Sequence, residues 1–194
     1  MRAGVTVDRL TRAGAELADE VGFEHVTVTA IARRFEIKVA SVYSHVASSH
    51  DLKTRIALLA LEEMADRGDA ALAGRAGKDA LTALADVYRD YAREHPGRYA
   101  AAQQRLDPTT AAASAGPRHA AMTRAVLRGY DLTEPVATHA VRLLGSVFRG
   151  YVDLELSGAF SHSAPDSEES WRRALDSLDA LLRAWPTTPD PSRP

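Results

Sequence analysis

The sequence predicts an all-α protein of about nine helices, a small N-terminal three-helix bundle followed by a larger helical region. Three observations predict it. Apolar residues recur at three- and four-residue spacings through most of the 194 residues. Serine, threonine and aspartate stand where these patterns begin, and glycine or proline where they end. No stretch reads convincingly as a strand, and no internal repeat is present.

The elements follow in order. Val7, Leu10, Leu17 and Val21 share one face of a first helix, bridged by Ala13 and Gly14, the glycine costing it about 1 kcal/mol relative to alanine. Gly22 stands where a left-handed residue ends a helix, with Phe23 as the apolar contact that accompanies it. Thr27 caps a short second helix whose apolar positions are Val28, Ile31, Ala32 and Phe35. A turn at 36–38 leads to a third short helix over 39–45. Ser48 with Asp51 is a capping pair for a fourth, running towards Arg67 before Gly68, Gly74 and Gly77 loosen the chain. The pattern returns over 80–94 through Leu81, Leu84, Val87, Tyr88 and Tyr91, and His95-Pro96-Gly97 stops it. A short helix over 98–105, an Ala/Thr/Ser-rich loop over 107–117 and a helix over 118–128 come next. Thr133 opens a long helix that tolerates Pro135 in its first turn and reaches Gly158. Asp166 and Glu169 cap the last helix, where Trp171, Leu175, Leu178, Leu182 and Trp185 repeat at spacings of four and three. The tail over 186–194 holds four prolines and is expected to be disordered.

Composition narrows the function classes. With no cysteine there is no disulfide framework, thiolate metal site or cysteine nucleophile. No apolar run is long enough for a membrane span, and Met1 to Arg12 carry no signal-peptide core, so the chain is expected in the cytoplasm. Net charge is -2, and residues 1–55 hold eight basic against seven acidic side chains, too slight an asymmetry to announce a nucleic-acid partner.

The specific signal is the run Gly22-Phe23-Glu24-His25-Val26-Thr27-Val28-Thr29-Ala30-Ile31-Ala32, followed by Ile37-Lys38-Val39-Ala40-Ser41-Val42-Tyr43-Ser44-His45 and Asp51-Leu52. Over residues 5–60 it resembles the signature of the TetR family of transcriptional regulators. That signature has a Gly-aromatic turn, a Thr-Val-x-x-Ile-Ala second helix and a recognition helix ending in Tyr-x-His. The resemblance implies a helix-turn-helix DNA-binding domain over 1–50 and a ligand-binding and dimerisation domain over 51–185. It further implies a homodimer on a palindromic double-stranded DNA operator, a repressor released by a small inducer, with no cofactor.

A helix-turn-helix lays its second helix in the major groove. Val42 and Val46 are the inward anchors, while Val39, Ala40, Ser41 and Ser44 are small enough to approach base edges closely. Thr27, Lys38, Tyr43, His45 and Lys53 can donate to phosphate oxygens, as can Arg33 and Arg34 from the second helix unless they are plain surface charges. Four positions depart from the family pattern. Glu36 replaces the turn glycine, where a positive φ disfavours a Cβ, and Lys38 replaces the capping serine. Val46 stands for the usual phenylalanine and Ser49 for the usual lysine. The recognition helix also lacks Arg, Asn and Gln for bidentate base contacts.

In the second half, 95–99 and 148–160 resemble the TetR subgroup with a Trp-His-Gly motif, of which Gly150 is kept and Arg149 stands in the histidine position. In such regulators the last two long helices pair across the dimer, which points to Leu143, Val147, Leu154, Trp171, Leu175, Leu178 and Leu182, unless the stripe packs on its own chain. Tyr88, Tyr91, Tyr99, Met122, Phe148 and Tyr151, with Gln103, His119 and Arg149 as polar partners, are the ligand-binding candidates for a small, largely apolar inducer, the alternative being ordinary core. No catalytic constellation emerges. There is no G-x-S-x-G, the stretch 145–150 lacks a phosphate loop's Lys and Ser/Thr, and the seven histidines have no metal-ligand spacing. An enzyme is not expected. The rival reading is a helical protein-interaction module with degenerate DNA binding.

Overall fold

The computed structural model describes residues 5–185, and among them the chain forms ten α-helices and two 3-10 turns, with no strand. The expected tail over 186–194 lies outside the described residues. Helix α1 (Val7–Val21) begins where the Thr6 hydroxyl accepts the Arg9 N–H at 3.3 Å. Its inward face is Leu10, Ala13, Gly14, Ala15 and Ala18. Val21, expected on that face, stands in the last turn and is 47% exposed, because the inward face runs through Leu10, Gly14 and Ala18. Gly22 takes a positive φ as expected, but with ψ 143 it is extended and not left-handed helical, and the chain goes straight into a 3-10 turn at Phe23–His25.

Helix α2 (Val28–Arg34) is capped by the Thr27 hydroxyl, which accepts the Ala30 N–H at 3.1 Å. It ends in a Schellman turn. The Glu36 N–H reaches the Arg33 carbonyl at 3.1 Å, the Ile37 N–H reaches Ala32 at 3.0 Å, and Glu36 sits at φ 54. Helix α3 (Val39–Tyr43) is shorter than the expected 39–45, and its first turn at Lys38 has no side-chain cap. Helix α4 (Ser49–Leu72) opens on reciprocal bonds, the Asp51 N–H to the Ser48 hydroxyl at 3.0 Å and the Ala47 N–H to the Asp51 carboxylate at 2.8 Å. It does not stop at Arg67. Gly68 is buried within it, and a Cβ there would lie 2.6 Å from the Met122 sulfur, so this glycine serves close packing and ends nothing.

Helix α5 (Gly77–Glu94) is followed at once by α6 (Pro96–Ala102), with proline in its first turn, so α6 starts and ends earlier than the expected 98–105. The expected loop over 107–117 contains α7 (Pro108–Ala113), because the Asp107 carboxylate accepts the Thr109 and Thr110 N–H groups and proline fits the first helical position. Helix α8 (Gly116–Leu127) leads into a second 3-10 turn at Arg128–Tyr130. Helix α9 (Val136–Leu156) starts after Thr133, whose carbonyl accepts the Ala137 N–H. Helix α10 (Ser167–Arg183) is capped by Asp166 as expected.

Two compact units result, and they do not coincide with a division at residue 50. The first takes residues up to 66 together with 90–117, the second 67–89 together with the residues from 118 onward. In the first, Leu10, Ala15, Ala18, Ile31, Val42, Leu52, Ile56 and Ala101 form one core, so α6 packs with the three N-terminal helices and α4. Gly97 lets α6 lie directly on α1, since a Cβ there would stand 1.9 Å from the Ala18 carbonyl oxygen. In the second, Leu81, Leu84, Leu144, Phe148, Val152, Trp171, Leu175 and Leu182 are buried.

Candidate nucleic-acid interface

The first unit presents α3 to solvent. Val42 and Val46, at 0% and 1% exposure, fasten the helix to the core. Around them Lys38, Val39, Ala40, Ser41, Tyr43 and Ser44 are exposed and His45 is half-buried, so the small residues and the tyrosine share the outer surface. The Ser44 hydroxyl donates to the Ser41 carbonyl at 2.7 Å, which holds it against its own helix. Thr27 is exposed at the start of α2, its oxygen already accepting from the backbone. A short helix with an anchored inner edge and an uncluttered outer one has the dimensions and chemistry for a DNA groove.

The basic side chains divide into bound and open ones. Arg34 donates to Glu20 at 2.7 and 2.9 Å and to Glu16 at 3.1 Å, tying α2 to α1. Those hydrogen bonds hold the Glu20 carboxyl below the usual carboxylate range. Lys53 donates to the Glu24 carbonyl at 3.1 Å and lies over the Phe23 ring at 5.1 Å, bracing the 3-10 turn against α4. Arg33 and Lys38 are exposed.

A second polar cluster in the same unit escaped the sequence reading. The Asp19 carboxylate accepts the Arg98 backbone N–H at 2.9 Å and lies 3.2 Å from the His95 ring nitrogen. Arg98 also meets Glu63 at 3.2 Å, and the buried Tyr91 hydroxyl donates to Glu63 at 2.7 Å. Burial, and then the Glu63 carboxylate, keep that phenol protonated far above its ordinary range. Nothing local marks these residues, because the pairs are separated by 28 to 79 positions.

The ligand-binding candidates divide between the two units. Tyr91, Tyr99 and Gln103 belong to the first unit, and Arg149 is exposed beside Asp153. In the second unit the Tyr88 hydroxyl and His119 Nδ1 are 2.8 Å apart, with the Phe148 ring 6.4 Å from Tyr88. Phe148 continues to Trp171, and Trp171 to Tyr151, at 6.0 and 4.8 Å between ring centres. Met122 is buried against Gly68. Two open concavities in this unit, about 500 and 290 Å³, have charged and hydroxylic linings, the first between Lys78, Thr82, Arg173 and Asp176, the second between Glu155, Phe160, Ser161 and Asp166.

The second unit also buries a charge that the sequence reading missed. Arg89, 3% exposed, makes two bonds to Glu155 at 2.7 and 2.8 Å and one to Glu168 at 2.6 Å. It lies over the Trp171 ring, whose N–H donates to Asp86 at 2.7 Å. The available signal was spacing, since Arg89 falls four after Ala85 and three before Ala92, both fully buried.

Of the residues expected at a dimer interface, Trp171, Leu175, Leu178 and Leu182 are buried on their own chain, because the four-three stripe is the face that packs α10 inward. Leu143 and Val147 are half-buried and Leu154 is 50% exposed. Leu156 and Leu181 are exposed large apolar side chains as well. Among the described residues no helix is long and apolar enough to cross a membrane, and no group of His, Asp and Glu is arranged to hold a metal.

Residues 81–178, half of the chain, match the family model described as the tetracyclin repressor-like C-terminal domain. The chain is 33% identical over 153 residues to an HTH-type transcriptional regulator of Mycobacterium tuberculosis, covering 77% of this chain and 69% of that protein. It is 27% identical over 184 residues to an HTH-type regulator of Bacillus subtilis, covering 95% and 92%. Its fold is similar to the crystal structure of a TetR variant from Acinetobacter baumannii in complex with minocycline, with a TM-score of 0.71 at 17% identity over 95% of this chain and 100% of that one.

Proposed function

Because this chain belongs to the TetR family of DNA-binding transcriptional regulators, we propose that it is a ligand-responsive repressor acting as a homodimer on a short, roughly palindromic operator in the cytoplasm. The observation that carries the reading is α3, fixed from within by Val42 and Val46 and open outside at Val39, Ala40, Ser41 and Tyr43. The outer residues approach base edges, while Thr27, Lys38, Tyr43, His45 and Arg33 contact phosphates and set the register. Lys53 acts indirectly, by holding the 3-10 turn ahead of α2.

The dimer uses the outward faces of α9 and α10. Leu154, Leu156 and Leu181 supply apolar area, and Gly145 and Gly150, where a Cβ would meet nothing within 4 Å, let a second copy approach closely. Gly150 is also the retained member of the Trp-His-Gly motif, and we place the C-terminal region in that subgroup. The inducer is a small, largely apolar molecule bound in the C-terminal region; that the TetR variant from Acinetobacter baumannii, similar in fold, is in complex with minocycline supports a small-molecule ligand. Tyr88, His119 and Phe148 are the side chains best placed to meet it. Inducer binding changes the spacing of the two recognition helices, which must match about one turn of DNA, roughly 34–36 Å. By reciprocity, operator DNA weakens inducer binding by the same factor.

The test is binding of the purified protein to its own upstream intergenic DNA at two salt concentrations, beside Tyr43→Ala. Specific binding that weakens steeply with salt and is lost in the variant is expected. Equal, sequence-independent binding by both forms overturns the operator reading.

A further inference from the structure

We propose that Arg89 is a positioning residue for self-association, its grip on Glu155 setting the roll of the last turn of α9 so that Leu154 and Leu156 face a second copy of the chain. The proposal rests on the dimer reading above and deepens it. On α9 the inward stripe runs through Ala140, Leu144, Phe148 and Val152, all buried. It ends at Glu155, whose side chain is only 13% exposed. The residues on either side, Leu154 and Leu156, are 50% and 41% exposed. A charged side chain is thus turned in and two large apolar ones are turned out, the reverse of what burial alone favours.

Arg89 is what reverses the preference. Its guanidinium donates twice to the Glu155 carboxylate, at 2.7 and 2.8 Å, and a two-point grip fixes the rotation of the helix end as well as its distance from α5. A third bond, to Glu168 at 2.6 Å, ties the first turn of α10 to the same side chain. Arg89 is itself held in place, because it lies over the Trp171 ring and the Trp171 N–H is bonded to Asp86 on the same helix as Arg89. Without the guanidinium, Glu155 is a buried charge lacking its countercharge, and rotating the last turn towards water relieves it. Successive residues on a helix stand roughly 100° apart, so the rotation that exposes Glu155 carries a flanking leucine inward. Leu156 takes that place, since it falls one helical turn after the buried Val152. The apolar area offered to a second copy then shrinks.

The experiment is sedimentation of the full chain over a concentration series, with circular dichroism on the same samples. Arg89→Lys keeps the charge but loses the two-point grip, and Arg89→Met loses both. With helical content unchanged, the lysine variant should dimerise about fivefold more weakly than the wild type and the methionine variant about tenfold or more. Leu154→Glu/Leu156→Glu should weaken association at least as much, whereas Glu168→Gln, which spares the grip on Glu155, should change it less than about twofold. A second readout separates rotation from general loosening. The chain has no cysteine, so Leu156→Cys supplies a single reporter thiol. With Arg89 in place its labelling should speed up on dilution, as the dimer parts. Beside Arg89→Met it should stay slow at every concentration, because the thiol is turned inward. Should Arg89→Met fail to fold, Arg89→Lys carries both readouts. Unchanged association in the Arg89 variants, or fast labelling of the diluted variants, overturns the proposal while leaving the dimer intact. Full association in the leucine variant overturns it too, by placing the interface elsewhere. A wild type that stays monomeric at every concentration removes the dimer reading and the proposal with it.

Discussion

At Glu36 a side chain occupies backbone space that glycine takes freely, so Glu36→Gly should raise stability by about 0.5–1 kcal/mol, seen as a higher urea midpoint with an unchanged slope. Gly97 is the opposite case. A methyl group there would overlap the Ala18 carbonyl, and α6 would have to lift from α1, so Gly97→Ala should cost about 2–3 kcal/mol in the same assay. Asp179 accepts from Arg183 at 3.0 Å and Tyr130 at 2.8 Å, and the Arg183 bond holds its carboxyl below the ordinary value of 3.8. A depressed carboxyl contributes stability above its unfolded-state value and loses it as the pH falls through its folded-state value. Asp179→Asn should therefore melt below the wild type at pH 7, by about 1 kcal/mol, and the gap should close under acid conditions below pH 3.8. Single-residue features were readable in the sequence where the cause is local. Thr27, Ser48 with Asp51, and Asp166 cap their helices because a cap needs only three neighbouring residues. For Arg89 spacing marks only the inward position; its pairing is not readable, because the partner Glu155 is 66 positions away.

Among the elements, α10 shows how a correct pattern leaves its partner open. The spacing of Trp171, Leu175, Leu178 and Leu182 marks one apolar face, but periodicity cannot say whether a face meets its own chain or a second copy. In the structure it meets its own chain, and Leu181 lies outside it. Leu181→Glu should leave helical content unchanged and shift the protein towards monomer in sedimentation, whereas Leu178→Glu should unfold the second unit. Preserved self-association in Leu181→Glu would move the interface away from this face. Helix α7 was missed because Ala, Thr and Ser next to proline read as loop, although Asp107-Pro108 is itself a cap followed by a proline-tolerant first turn. Helix α4 overran its expected end because Gly68 reads as a breaker until Met122 is known to press on it.

For the whole molecule, segments distant in sequence share a core. Ala101 is fully buried with Leu10, Ile31 and Val42, and Leu106 packs against the same cluster. A fragment ending at residue 66 therefore lacks part of its own interior, and it should show a broad, weakly cooperative urea transition by circular dichroism where the intact chain shows a sharp one. The fold class and the motif were legible because helix periodicity and a contiguous signature are properties of neighbouring residues. The grouping of 90–117 with the N-terminal helices was not, because it depends on a return of the chain that no local pattern encodes. That return also sets a timetable. Asp19 and its partner Arg98 are 79 residues apart, and at roughly 5–20 residues per second the ribosome needs about 4–16 s to make the second after the first. Through that interval the nascent N-terminal helices carry an uncovered seam at Ala15 and Ala18, the surface on which a chaperone or a neighbouring nascent chain has its opportunity.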